Sequence, residues 1–169
     1  MEAQTQNRKT SDLDDGIGLQ EAIAVPRTKL SAVGGGGGNP FDDPLGDTVR
    51  IAGLNVGSGQ VVDSIQMVVK VGVETLTLQK RGGGGGTVRA LDLLPGEFIT
   101  KVEVNYGEVI DKVTFHIFGR AVPVSFGGRG GKFTFTLAGP DGTEVCGFHG
   151  RAGESIDCLG IYYRERAKF

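Results

Sequence analysis

From Thr28 onward, apolar residues alternate with polar ones in short runs broken by glycine-rich turns, the pattern of half-buried strands rather than helices. Strands are expected at 29–33, 48–56, 61–71, 74–79, 87–92, 97–106, 109–117, 120–125, 132–137, 143–149 and 156–163. Asn39-Pro40, Pro95-Gly96 and Gly139-Pro140-Asp141-Gly142 read as turns between them. Residues 1–27 are polar, with Asp12, Asp14 and Asp15 close together. They read as a flexible or loosely docked extension, with a short helix over Leu19–Ala24 ahead of Pro26 as the alternative. The domain proper is placed at 28–169.

The runs repeat. Glycine clusters at Gly34–Gly38, Gly82–Gly86 and Gly127–Gly131, the last interrupted by Arg129, are each followed by a Gly-x-x-x-Asp motif. The motifs begin at Gly59, Gly107 and Gly153, at offsets of 25, 25 and 26 residues, and end at Asp63, Asp111 and Asp157. A further match, Gly38 to Asp42, is out of register and is background. After each in-phase Asp, alternate positions are apolar: Ile65, Met67, Val69; Val113, Phe115, Ile117; Leu159, Ile161, Tyr163. Three units of about four strands, none able to bury its apolar face alone, predict an all-β domain of three sheets around one core.

The repeated turn suggests a site. A glycine opening a tight turn exposes peptide N–H groups, and the Asp at the start of the returning strand sets an anionic acceptor beside them. A polyol fits that pairing, since its hydroxyls can donate to the carboxylate and accept from the amides. A neighbouring glycine cluster can approach closely because it has no Cβ. The competing readings are an Asp that caps its own turn and a glycine run that is only a linker.

Composition narrows the classes. The chain has 169 residues, 30 of them Gly, no Trp and a net charge of −2. No basic stripe speaks for nucleic acid, and no apolar run is long enough for membrane insertion. Gly127-Gly128-Arg129-Gly130-Gly131-Lys132-Phe133 fails as a phosphate-binding loop, because Phe126 and Phe133 stand where a glycine and a hydroxyl residue are needed. The amino terminus lacks the apolar stretch of a signal peptide, so a cytoplasmic location is expected. Cys146 and Cys158 could face each other across a hairpin, but free thiols suit that compartment better. His116 and His149 have no metal-ligand spacing with the cysteines, and the three Asp residues open different strands. No enzyme, cofactor or metal site is expected.

Several segments together resemble the jacalin-related lectins: Gly34–Gly38 with Asn39-Pro40-Phe41-Asp42-Asp43, Gln60–Gln66, Leu94–Thr100, and Gly147–Gly153 with Asp157–Tyr163. The resemblance covers about residues 28 to 164. It implies the β-prism I fold, three four-stranded Greek-key sheets with internal pseudo-threefold symmetry, and reversible, metal-independent carbohydrate binding. It also implies a principal sugar site at Gly153, Glu154, Ser155 and Asp157 facing Gly37 or Gly38. Further sites would be Gly59, Gln60, Val61 and Asp63 with Gly85, and Gly107, Glu108, Val109 and Asp111 with Gly130. Three intact motifs resemble the griffithsin-type lectins, although the aromatic that often fills the third motif position there is Val61, Val109 or Ser155 here. Loops without aromatics resemble the mannose/glucose-binding subgroup. The partners implied are mannose- or glucose-containing glycans and glycoproteins, bound multivalently by a homo-oligomer. The alternative is a prism that serves as a protein-interaction module with weak or no sugar binding.

Overall fold

The computed structural model describes residues 25–166, and no helix occurs among them. The expected helix over 19–24 lies outside the described residues. In chain order the strands begin with β1 (Arg27–Lys29), β2 (Val33–Gly34), β3 (Asn39–Pro44), β4 (Val49–Ser58), β5 (Val62–Val71), β6 (Glu74–Thr77) and β7 (Arg81–Gly82). They continue with β8 (Thr87–Asp92), β9 (Ile99–Tyr106), β10 (Ile110–Ile117), β11 (Val124–Gly127), β12 (Phe133–Ala138), β13 (Thr143–Ala152) and β14 (Ile156–Glu165).

Three antiparallel sheets form, with spatial orders β6-β5-β4-β8, β11-β10-β9-β12 and β1-β14-β13-β3; β7 adds to β5 and β2 to β14. Each has a long central hairpin, a short strand continuing from one side of it, and a fourth strand returning to the other side, which is a Greek key. In the third sheet the hairpin β13–β14 lies near the end of the chain and its flanks β1 and β3 near the start. This is the threefold β-prism that the repeat and the resemblance predicted.

The alternating residues meet in one core. Ile65, Met67, Val69, Val113, Phe115, Ile117, Leu159 and Ile161 are all buried. Phe115 stands edge-on to Phe126 and Phe148, with centroid separations of 5.9 and 6.3 Å, a favoured aromatic geometry. Tyr163 departs from the pattern. It is half-exposed against Gly139, while Tyr162 on the opposite face is buried under His149, Arg27 and Lys29.

Other departures have plain causes. Asn39-Pro40 opens β3 instead of turning, and β3 is an edge strand, where a missing N–H is tolerated. The expected strand 29–33 is divided between β1 and β2, and 120–125 becomes strand only from Val124. Cys146 and Cys158 are free and buried; Cys158 pairs in register with Arg151, so the two thiols do not face each other across the hairpin.

Candidate saccharide-binding rim

The three Gly-x-x-x-Asp turns link β4 to β5, β9 to β10 and β13 to β14, all at one end of the prism. They close alike: the N–H groups of Gly59, Gly107 and Gly153 donate to the carbonyls of Val61, Val109 and Ser155 at 3.0, 3.0 and 2.9 Å. Asp63, Asp111 and Asp157 are each the second residue of the returning strand and are half-buried.

Each Asp meets a glycine loop. The amides of Gly35, Gly83 and Gly128 donate to the main-chain carbonyls of Asp157, Asp63 and Asp111 at 2.8, 2.9 and 2.9 Å. That anchor carries the rest of the loop over the carboxylate. A Cβ added at Gly37 would lie 2.8 Å from Asp157 Oδ1, one at Gly85 2.7 Å from Asp63 Oδ1, and one at Gly130 2.7 Å from Asp111 Oδ1. A side chain at any of these positions would push the carboxylate out of its place, so glycine lets the loop and the carboxylate lie in direct contact. Gly38 and Gly86 also hold φ of 72° and 71°, in the left-handed region. The groupings expected from sequence are therefore all assembled, and both Gly37 and Gly38 lie against Asp157.

Among the described residues, none donates a hydrogen bond to the carboxylates of Asp63, Asp111 or Asp157, and none forms an ion pair with them. The self-capping alternative is thus not what the structure displays. Three anionic acceptors stand at the surface beside bare backbone, and that arrangement can accept hydroxyl donors.

The loops also lock one another. A Cβ at Gly35 would strike the carbonyl of Glu108, one at Gly83 that of Glu154, and one at Gly128 that of Gln60. Each glycine loop is wedged between two turns, its own Asp on one side and the next motif on the other. Six segments close into a ring around the pseudo-threefold axis. The members of the ring are legible in sequence; their cyclic order is not.

Arg151 is a residue that the sequence reading left without a role. Its Nε donates to the Gly37 carbonyl at 3.0 Å and its Nη2 to that of Gly38 at 2.7 Å, which pins the first glycine loop. No local signal could identify it, because its partners lie 114 and 113 positions away. Arg81 holds Asp43 with two bonds of 2.8 and 2.6 Å, tying the second glycine loop to β3. His116 lies 3.2 Å from Glu103 on the outer sheet face, and His149 Nε2 bonds the Leu30 carbonyl at 2.5 Å. Neither imidazole is part of the rim. No three His, Cys, Asp or Glu side chains among the described residues gather as a metal-holding group.

Comparison with known proteins agrees with the fold. The family model of the jacalin-like lectin domain matches residues 30–162. Jacalin-related lectin 33 of Arabidopsis thaliana is 32% identical over 148 residues, covering 80% of this chain and 47% of that protein. The present chain thus spans about half the length of that relative. Among solved structures, wild-type Malaysian banana lectin superposes with a TM-score of 0.71 at 28% identity, covering 83% of this chain and 100% of its own. A mannose binding jacalin related lectin from Ananas comosus shares the fold at 23% identity, with a TM-score of 0.73 over 83% of this chain and 99% of its own.

Proposed function

The chain belongs to the jacalin-like lectin domain family, and from that membership we propose that it binds mannose- or glucose-type glycans at the rim, through Asp157, Asp63 and Asp111. The observation that carries the reading is the pairing, three times over, of a carboxylate that receives no hydrogen bond from the described residues and a glycine loop whose fourth residue abuts it. In each site two sugar hydroxyls donate to the Asp, and the turn amides of Glu154 and Ser155, Gln60 and Val61, or Glu108 and Val109 donate to sugar oxygens. The 4- and 6-hydroxyls are the natural pair for the carboxylate, and an equatorial O4 selects mannose and glucose over galactose. A lectin leaves its sugar chemically unchanged, so His116 and His149 have no catalytic part. The site needs no metal, because its acceptors and donors are already in place.

A single shallow site of this kind binds a monosaccharide weakly, on the order of millimolar. Inhibition of glycoprotein binding by methyl α-mannoside, but not by the galactoside, is the expected result. Asp157→Ala removes two charge-assisted hydrogen bonds, each worth roughly 1.5–3 kcal/mol. Mannoside titration of the Gly37 loop should then vanish. Full retention of binding at that loop would falsify the assignment of Asp157.

A further inference from the structure

The three rim sites are not equivalent, and the difference lies in the glycine loops. Four residues separate β2 from β3 and β7 from β8, but five separate β11 from β12. In the two shorter loops the second of these residues is Gly36 or Gly84, and an added Cβ there would meet nothing within 4 Å. The corresponding residue of the third loop is Arg129. Its main chain is fixed on both sides, by the Gly128 bond to the Asp111 carbonyl and by Gly130 lying over the Asp111 carboxylate. Its side chain is exposed, as is that of Lys132 at the end of the loop.

The cations near the other loops are occupied. Arg151 is bonded to the carbonyls of Gly37 and Gly38, and Arg81 to Asp43. Arg129 and Lys132 form no ion pair with another described residue; the Lys132 ammonium lies 5.7 Å from the centre of the Phe133 ring. Phe133 is half-exposed and packs 5.5 Å from Tyr106, the residue immediately before the Gly107 turn. This gives the third site two cations and an aromatic edge that the others lack.

We infer that the third rim site takes a hexopyranoside bearing an anionic substituent, sulfate or carboxylate, on the ring edge away from Asp111. The inference rests on the reading that the rim aspartates accept sugar hydroxyls. Asp111 repels an anion on the edge that it holds, and Glu108 on the adjoining turn adds to that repulsion. An acidic group is therefore accommodated only on the far side of the ring, toward Arg129. The planar guanidinium fork matches sulfate or carboxylate oxygens in pairs, and Lys132 adds a second positive charge to the same loop.

The test compares methyl α-mannoside with its 2-sulfate, whose anionic group lies on the edge opposite the 4- and 6-hydroxyls, on the full chain, following the backbone amides of Gly37, Gly85 and Gly130 separately by ¹⁵N–¹H NMR titration. The expected result is about fivefold tighter binding of the sulfated sugar at the Gly130 loop alone, the size of an exposed charge pair. The gain should disappear in Arg129→Gly, which leaves mannoside titration of the Gly37 loop unchanged. Equal or weaker binding of the sulfate at the Gly130 loop, or a gain that survives Arg129→Gly, overturns the inference. In either case mannoside shifts at Gly37 and Gly85 leave the lectin reading standing. No shift at any loop with either sugar overturns both.

Discussion

His149 is buried on β13, bonded to the Leu30 carbonyl and set at an angle to the Tyr162 ring 5.4 Å away. Burial pushes its pKa below the usual imidazole value; the Leu30 bond and Asp42 oppose that shift, and Lys29 adds to it. The unfolded chain therefore takes up the proton first, near pH 6.5. The stabilising contribution of the neutral ring is complete above that pH and is lost as pH falls toward the lower folded value. Thermal melts between pH 8 and 5 should show a decline in Tm below about pH 6.5 that is shallower in His149→Gln. Equal slopes would assign the decline to other groups. The neighbouring Tyr162 hydroxyl donates to Asp42 at 2.5 Å, and burial, with that bond next, raises its pKa to about 12. Burial also raises the Cys146 thiol to about 11, so it stays protonated and unreactive.

Among the connecting elements, the glycine loops divide their residues between packing and binding. Gly83 is pressed on the Glu154 carbonyl and Gly84 faces open space. Gly83→Ala should therefore destabilise the fold by about 1–3 kcal/mol, the range of a forced overpacking. It should also weaken sugar binding at both Asp63 and Asp157, whose segments flank the wedge. Gly84→Ala should be close to neutral in stability. Chemical denaturation of the two variants, one residue apart, separates a wedge from a generic loss of glycine; equal midpoints would dismiss the ring of interlocked loops.

For the whole prism, three binding loops on one rigid body allow a branched glycan or a glycoprotein to engage more than one site. Linked sites act at a high effective concentration, and avidity can exceed single-site affinity by roughly 10²–10⁴-fold. Removing two of the three carboxylates, as in Asp63→Ala with Asp111→Ala, should leave mannoside affinity at the Gly37 loop unchanged. The same variant should bind a multivalent glycoprotein at least about tenfold more weakly, by surface plasmon resonance. Undiminished glycoprotein binding would mean that one site acts alone.

Periodicity and repetition carry the architecture. Ile65, Val113 and Leu159 reach the core because side chains alternate across a strand and each motif Asp enters its strand in the same phase. The pairing of Asp63, Asp111 and Asp157 with Gly85, Gly130 and Gly37 is implied by the family resemblance, and the fold brings those groups together. Long-range geometry accounts for the rest. Arg151 reaches Gly37 and Gly38 only because β13 pairs with β3 across most of the chain. Asn39-Pro40 becomes strand because an edge position forgives a missing donor. Gly35, Gly83 and Gly128 wedge against turns from another repeat because three sheets close on a common axis. Local pattern specifies which face of each strand is apolar; only closure of the prism determines which distant backbones touch.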